Sequence, residues 1–476
     1  MNRIIFIEPK PPNFHIFTKF KSPRLGTFIL GSLMRQRGWE VGIYVEDLGE
    51  IDWDRVRSAD IVGISSITST APRAYKIADK VREIGIPVIM GGPHPTFLTE
   101  EALKHADFVI RGEGEHPLMA FVDAWEKTGD FSSVPALSYK KNGTVVHNPA
   151  LNYTPDLDII PFPDFSLFKG KKQLLAEGSI LPIQISRGCP FNCSFCSVTP
   201  MFGRRYRFRS IENTLKELRQ YKGRNQTVFF YDDNFAANPQ HTKELLNAMI
   251  REKLNFKWSA QVRVDVAKDI ELVKLMKKAG CNTVFIGFES VNPDSLVEMK
   301  KSQKVEDIVN AIKILRKHHI HIHGMFILGL DHDSRKTVKE TVRFAIKYML
   351  TSVQFLLLTP LPGSELYDLL KNKGRILFGD WSLYDAHHVV FKPVNFTLVE
   401  LQKAQMYCHK KFYSILERIR KLIVGDLRGF FINFYARHLN RLWKKKNKTF
   451  LKVLALLRPN RIAEIKIDYK EKVNLS

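Results

Sequence analysis

Ile185-Ser-Arg-Gly-Cys-Pro-Phe-Asn-Cys-Ser-Phe-Cys-Ser197 follows directly on a short apolar run, Leu181 to Ile185, that reads as a buried strand. Its cysteines, Cys189, Cys193 and Cys196, are spaced C-x-x-x-C-x-x-C. Thiolates this close can ligate one metal centre, and three of them leave a four-iron cluster one ligand short. An iron with an open position can bind and activate a substrate. A structural zinc site would want a fourth protein ligand and a second C-x-x-C pair, which the chain lacks. The cluster reading is therefore preferred over zinc or over three reduced core cysteines.

Downstream of this loop, strand and helix patterns alternate for about six units. The strands are Leu181–Ser186, Thr227–Asp232, Lys257–Val264, Thr283–Glu289, His321–Leu328 and Ser352–Thr359. Six βα units close into a partial barrel, whose chemistry belongs at the carboxyl-terminal rim. Tyr231-Asp-Asp-Asn-Phe235, Gln261-Val-Arg-Val-Asp265, Gly287-Phe-Glu-Ser290, Gly329 and Thr359-Pro-Leu-Pro-Gly-Ser364 all fall there.

Upstream, the first 130 residues show the same alternation. Strands are expected at Ile4–Glu8, Glu40–Val45, Ile61–Ile67, Pro87–Gly91 and Phe108–Gly112, and helices at Arg24–Arg37, Ala71–Ile84, Thr99–His105 and His116–Thr128. That pitch implies a doubly wound parallel sheet, which binds ligands at the carboxyl ends of its strands. Those ends carry Ser65-Ser-Ile-Thr-Ser-Thr70, Gly91-Gly-Pro-His94 and Arg111-Gly-Glu-Gly-Glu115. Small and hydroxylated turns let the backbone approach a large polar ligand closely. Lys141-Asn-Gly143 marks a hairpin and Pro155–Pro163 a linker. The fold class is α/β: a doubly wound sheet (1–135), hairpin and linker (136–175), a partial (β/α)6 barrel (176–375) and a basic, largely helical C-terminal region (376–476).

Five cysteines, three of them in one motif, exclude a secreted disulfide framework and fit a reducing cytoplasm. No signal-peptide pattern opens the chain, and no apolar run reaches the ~18 residues that span a bilayer. The net charge is +24, and residues 400–476 hold 19 Lys/Arg against 6 Asp/Glu, more than half of the excess. This is a basic tail on a moderately basic body.

The cysteine loop, Gly287-Phe-Glu-Ser290 and Thr359-Pro-Leu-Pro-Gly363, in this order behind the first sheet, resemble the cobalamin-binding-domain subfamily of the radical S-adenosylmethionine (radical SAM) superfamily. The resemblance covers residues 1 to about 375. That group includes the anaerobic magnesium-protoporphyrin monomethyl ester cyclase and the hopanoid methylases. It implies a [4Fe–4S] cluster on Cys189, Cys193 and Cys196, with SAM chelating the fourth iron. It further implies SAM contacts from Phe195, Asp232, Asp233, Arg263 and Glu289. Cobalamin would lie on Ser65, Ser66, Thr68, Gly91, Gly92, His94, Gly112, Glu113 and Gly114. The D-x-H-x-x-G motif of classical cobalamin proteins is absent: no aspartate stands two residues before His94, and Asp385-Ala-His387 lies far outside the first domain. The subfamily commonly lacks it too.

His321 and His323 of His318-His-Ile-His-Ile-His323 share a strand face, but a helix end capped by cationic histidines outweighs a metal site. Cys281 reads as core, and Cys408 has no partner motif. In the tail, Phe412, Ile415, Leu416, Ile419, Leu422 and Ile423 form one helical stripe, with Lys403, Lys410 and Lys421 opposite. The stripe either packs on the barrel or joins Phe430, Phe431, Phe434 and Trp443 as an interfacial anchor on anionic lipid. An RNA surface is the weaker reading.

The expected function is SAM cleavage at the cluster to functionalise an unactivated carbon, foremost cobalamin-dependent C-methylation of a hydrophobic small molecule. The alternatives are non-methylating cyclisation or oxidation like the porphyrin ester cyclase, and a non-catalytic cobalamin or redox sensor. An RNA methylthiotransferase would need an auxiliary cluster, yet residues 1–188 contain no cysteine. Expected partners are the substrate and an electron donor such as flavodoxin or ferredoxin. The expected location is cytoplasmic, with peripheral contact at the inner face of the membrane.

Overall fold

The computed structural model describes residues 2–13, 23–150, 153–154, 156–170, 174–175 and 179–457. Pro155, where the expected linker begins, and the tail beyond residue 457 lie outside the described residues.

The first half is built from β1 (Arg3–Glu8), α1 (Leu25–Gln36), β2 (Glu40–Val45), α2 (Trp53–Arg57), β3 (Ile61–Ser65), α3 (Ala71–Glu83), β4 (Val88–Gly91), α4 (Pro93–Phe97), α5 (Thr99–Ala102), β5 (Phe108–Ile110), α6 (Glu115–Lys127), β6 (Leu137–Lys141) and β7 (Thr144–His147). Its seven-stranded sheet runs β2-β1-β3-β4-β5-β6-β7. The first five strands are parallel, and the β6–β7 hairpin adds antiparallel strands at the β5 edge. The hairpin is thus part of this sheet, not a free connector. Core strands such as Ile4-Ile-Phe-Ile are apolar on both faces because helices cover both, as parallel sheets require. The order reverses between β1 and β3, which opens a crevice at their carboxyl ends.

The second half holds β8 (Ile180–Ile183), β9 (Ser186–Arg187), α7 (Val198–Phe202), β10 (Arg207–Phe208), α8 (Ile211–Arg219), β11 (Thr227–Phe230), α9 (Pro239–Arg251), β12 (Lys257–Val262), α10 (Ile270–Lys278), β13 (Cys281–Glu289), α11 (Pro293–Glu298), α12 (Val305–Lys317), β14 (His321–Leu328), α13 (Arg335–Lys347), β15 (Ser352–Leu357) and α14 (Glu365–Asn372). Six parallel strands lie in chain order, β8-β11-β12-β13-β14-β15. Helix starts follow from local chemistry. Ser210, Asn238, Asp269, Asn292, Ser334 and Ser364 each accept a first-turn backbone N–H. The strand expected at Leu181–Ser186 divides: Ser186 and Arg187 leave the barrel and pair antiparallel with Arg207 and Phe208.

The sheet does not close, so β15 presents an edge. Helix α15 (Leu398–Phe412) covers it. Tyr413 accepts from Val353 N and donates to its carbonyl, while Gln405 donates to the Phe355 carbonyl, which His409 also contacts. These bonds satisfy backbone groups that would otherwise template another strand. Then come α16 (Ile415–Ile423), α17 (Leu427–Lys446) and α18 (Lys448–Leu456). The single stripe expected over 412–423 is interrupted, because α15 ends at Phe412 and Ser414 caps a new helix. No helix among the described residues is long and apolar enough to cross a membrane.

Candidate active site

The cysteine loop is fixed at both ends. Gly188 sits at φ +87°, and a Cβ there would meet the Arg205 carbonyl at 2.5 Å, so only glycine fits. Within the loop, Ser194 N donates to Met299 O, and Leu366 N donates to Ser194 O. Loop, α11 and α14 are thereby tied together. The three thiols are half-buried and form no disulfide. Burial pushes the Cys196 thiol up to about 12, with Asp233 and the other two cysteines acting in the same direction. Burial also raises Cys189. Such thiols become thiolates only beside a strong cationic centre. Among the described residues no three His, Cys, Asp or Glu converge as the ligands of a single ion would.

Beside the loop, Glu289 pairs with Lys301 at 2.7 Å, both buried. Glu289 adopts φ +61° where the β13–β14 register shifts. A Cβ on Gly287 would meet the Glu289 carboxylate at 2.2 Å, which explains the glycine. The Lys301 ammonium lies 5.8 Å from the centre of the Phe195 ring. Arg263 stacks 3.6 Å from the Phe191 ring centre and donates to the Lys301 carbonyl. Phe195, Arg263 and Glu289 are thus brought together. Lys301 and Phe191 were missed, since Lys300-Lys-Ser-Gln303 reads as an ordinary polar turn.

Asp232 and Asp233 separate. Asp233 lines the central cavity, where the surrounding walls desolvate its carboxyl and raise it to about 6 although the side chain stays accessible from the cavity. Asp232 points away from it and is fully buried, accepting from Ile185 N and the Ser186 hydroxyl. It latches the strand that leads into the cysteine loop and does not border the cavity, unlike the neighbouring Asp233. The cause is alternation: Tyr231 and Asp233 face the cavity, so the residue between them faces away. Burial lifts Asp232 to about 7, above its unfolded value near 3.8. The unfolded chain releases this proton first, so the group's contribution to stability falls as pH rises from about 4 to 7. Asp232→Asn should remove that slope, as urea midpoints of both proteins across this range will read.

The cavity has a volume of about 340 Å³ and lies between the two sheets. Ser65, Gly91, Gly92, Gly112, Glu113 and Gly114 border it from the first sheet, and Gln184, Arg187, Met201, Phe202, Tyr231 and Asp233 from the barrel. Arg24 and Thr27, which the sequence reading passed over, also line it. Three expected cobalamin contacts do not. Ser66 and Thr68 are buried in the turn after β3. His94 is fully buried, with Nε2 3.0 Å from the Tyr75 hydroxyl. Tyr75 and Trp381 both donate to Glu101, so this group fastens the segment after the barrel onto the first sheet.

Glu113 borders the cavity but is already engaged. It accepts from Arg207 and lies 3.5 Å from Arg187, while Glu115 pairs with Arg187 at 2.6 Å. All four side chains are nearly inaccessible. Against the burial that would raise it, Arg187 holds the Glu115 carboxyl below its usual value. These pairs clamp the first sheet to the β9–β10 hairpin beside the cysteine loop.

The glycines differ in what they permit. A Cβ on Gly91 meets only the Ile110 carbonyl, at 3.7 Å, whereas on Gly92 (φ +92°) it meets Ser66 O at 2.7 Å. Gly91→Val is expected to narrow the cavity and lower cobalamin retention severalfold without a loss of fold. Gly92→Ala is expected to cost stability as well, by roughly 1–3 kcal/mol. Gel filtration with hydroxocobalamin and thermal melts separate the two.

In the histidine run no three candidate metal ligands converge among the described residues. His323 Nδ1 lies 2.8 Å from the Ser352 hydroxyl, and burial drops its pKa to about 4. Burial lowers His321 too, so neither strand histidine is a cation, while His318 stands at the C-cap of α12 as expected of the helix end. Cys281 and Cys408 are buried in the core.

Two family models match the chain: a B12 binding domain over residues 18–122 and the radical SAM superfamily over 183–345. Bacteriochlorophyllide d C-12(1)-methyltransferase of Chlorobaculum tepidum is 35% identical over 396 residues, 80% of this chain and 81% of that one. An anaerobic magnesium-protoporphyrin IX monomethyl ester cyclase of Rubrivivax gelatinosus is 27% identical over 467 residues, 91% of this chain and 83% of that one. Among solved structures, the cobalamin-dependent S-adenosylmethionine radical enzyme OxsB, with aqua-cobalamin and S-adenosylmethionine bound, superposes with a TM-score of 0.68. It is 16% identical, over 96% of this chain and 75% of that one.

Proposed function

Because the chain belongs to the radical SAM superfamily, in its cobalamin-binding-domain subfamily, we propose that it methylates an unactivated carbon of a hydrophobic small molecule. It is an enzyme whose cofactors are a [4Fe–4S] cluster, SAM and cobalamin. When bound, the cluster and SAM supply a carbon radical that takes hydrogen from the substrate, and cobalamin supplies the methyl group.

The supporting observation is a cavity that joins the glycine-lined strand ends to Gln184, Arg187, Met201, Phe202, Tyr231 and Asp233 of the barrel, residues that flank the cysteine loop in sequence. Two cofactors must act on one carbon, so their sites must share a space. In this reading Cys189, Cys193 and Cys196 hold three irons. Phe195, Glu289 with Lys301, and Asp233 bind and orient SAM. Ser65, Gly91, Gly92, Gly112 and Gly114 let the backbone approach the corrin. Tyr231, Met201 and Phe202 line the cavity with apolar surface. The Glu113–Arg207 and Glu115–Arg187 pairs fix the distance between the two halves. A one-electron donor such as flavodoxin or ferredoxin reduces the cluster.

The test is anaerobic incubation of cluster-reconstituted protein with SAM, reductant, cobalamin and a panel of tetrapyrrole carboxylates and terpenoid lipids. A product heavier by one methyl group, together with 5′-deoxyadenosine, supports methylation. A product lighter by two hydrogens, formed without cobalamin, favours the cyclase-like reading carried by the Rubrivivax relative.

A further inference from the structure

Helix α16 is patterned against water. Its apolar residues face outward: Leu416 is 70% exposed and Ile423 78%, and Ile415, Ile419 and Leu422 are about half exposed. Its buried residue is a lysine. Lys421 turns inward and donates to the Leu350 and Thr351 carbonyls, just before β15, and to Asp426. A helix that packed by its stripe would do the reverse. The stripe and the lysine are therefore both inverted from the barrel-packing arrangement.

The face continues onto α17, which packs against α16. Leu427, Phe431, Phe434 and Tyr435 follow i, i+4, i+7, i+8 spacing and are all exposed, Phe431 at 67% and Phe434 at 62%. Arg418 braces this surface, with its guanidinium 5.7 and 5.6 Å from the Phe430 and Phe434 ring centres. Every fully exposed charged residue from 415 to 456 is basic, Arg420, Arg428 and Lys444–Lys446 among them. The two acids in that span are half-buried: the Glu417 carboxylate lies 3.6 Å from Arg420, and Asp426 accepts from Gly429 N and Lys421.

We infer that the outward faces of α16 and α17 form a peripheral docking surface for an anionic lipid bilayer. An apolar stripe of bulky aliphatic and aromatic side chains, rimmed by an excess of basic charge and free of exposed acid, is complementary to acyl chains beneath anionic headgroups. A protein partner would need matching acidic side chains; a second copy of this chain would place basic rims against each other. The patch meets the barrel at the amino-terminal end of β15, away from the rim, so docking leaves the active-site mouth free. The inference does not depend on the methylation reading.

The experiment is sedimentation of the full-length, cluster-reconstituted protein with phosphatidylcholine vesicles and with vesicles containing one-third phosphatidylglycerol, at 50 mM and 500 mM salt. Each basic residue at an anionic surface strengthens binding about fivefold. Partitioning onto the anionic vesicles at low salt should exceed that onto neutral ones by at least tenfold and should fall at high salt. Leu416→Glu with Phe431→Glu should reduce it a further tenfold or more. Both side chains are exposed, so melting temperature, iron content and SAM cleavage should be unchanged. Equal partitioning of wild type on the two vesicle types, or a double variant that binds as wild type does, overturns the inference. A dimer in light scattering that the double variant dissolves would assign the face to a second copy and overturn it equally.

Discussion

Alanine at Cys189, Cys193 or Cys196 is expected to remove most of the bound iron and to abolish SAM cleavage, while Cys281→Ala and Cys408→Ala retain both. A four-iron cluster on three thiolates has no spare ligand, and a loss of one leaves two. Cys281 and Cys408 are buried far from the loop in sequence and packed in the barrel core. Their replacement deletes one buried sulfur, at a cost of about 1 kcal/mol or less per methylene-sized group. Iron analysis and 5′-deoxyadenosine yield of the five variants give the answer. Full iron and activity in any of the first three would remove the cluster from this loop.

The second large effect is expected at the clamp between the halves. Arg207→Ala leaves Glu113 buried beside the cavity with only the more distant Arg187 to balance it, and it removes donors to the Thr154 and Phe202 carbonyls. Breaking a buried pair on one side costs roughly 3–5 kcal/mol, because the remaining charge cannot be rehydrated. The same change at Arg219, whose Glu212 partner is largely exposed, should cost far less. Arg207→Ala with Glu113→Gln should cost less than the sum of the singles, since the orphaned charge is gone. Thermal melts with and without cobalamin would read both quantities. Additive losses, or an Arg207 variant as stable as the Arg219 one, would show that the clamp carries no such strain.

The cysteine loop was legible because its chemistry is concentrated in eight consecutive residues, and both sheets because their strands are apolar and regularly spaced. The glycine-bearing strand ends were legible as a cavity wall for the same reason. What failed was direction. Ser65 and Gly92 face the cavity while Ser66 and His94, one or two residues away, face the core, and a strand exit does not print its own orientation. Glu113 does border the cavity, but its ion pair with Arg207, 94 residues later, was not legible. Nor was the bond of Asp232 to Ile185 N, which is set by a strand pairing across 47 residues. The tail gave the clearest reversal: the stripe over 415–423 was visible, but only the bonds of Lys421 show that it points outward.

The claim on which the account turns is that one cavity brings both cofactors to a single substrate carbon. The direct measurement is mass spectrometry of product formed by the reconstituted protein with cobalamin and SAM carrying a trideuterated methyl group. The account predicts one cobalamin retained per chain, 5′-deoxyadenosine released, and a product bearing the intact trideuteromethyl group on carbon. Protein that carries its full iron and cleaves SAM, yet retains no cobalamin and yields product without deuterium, would contradict it.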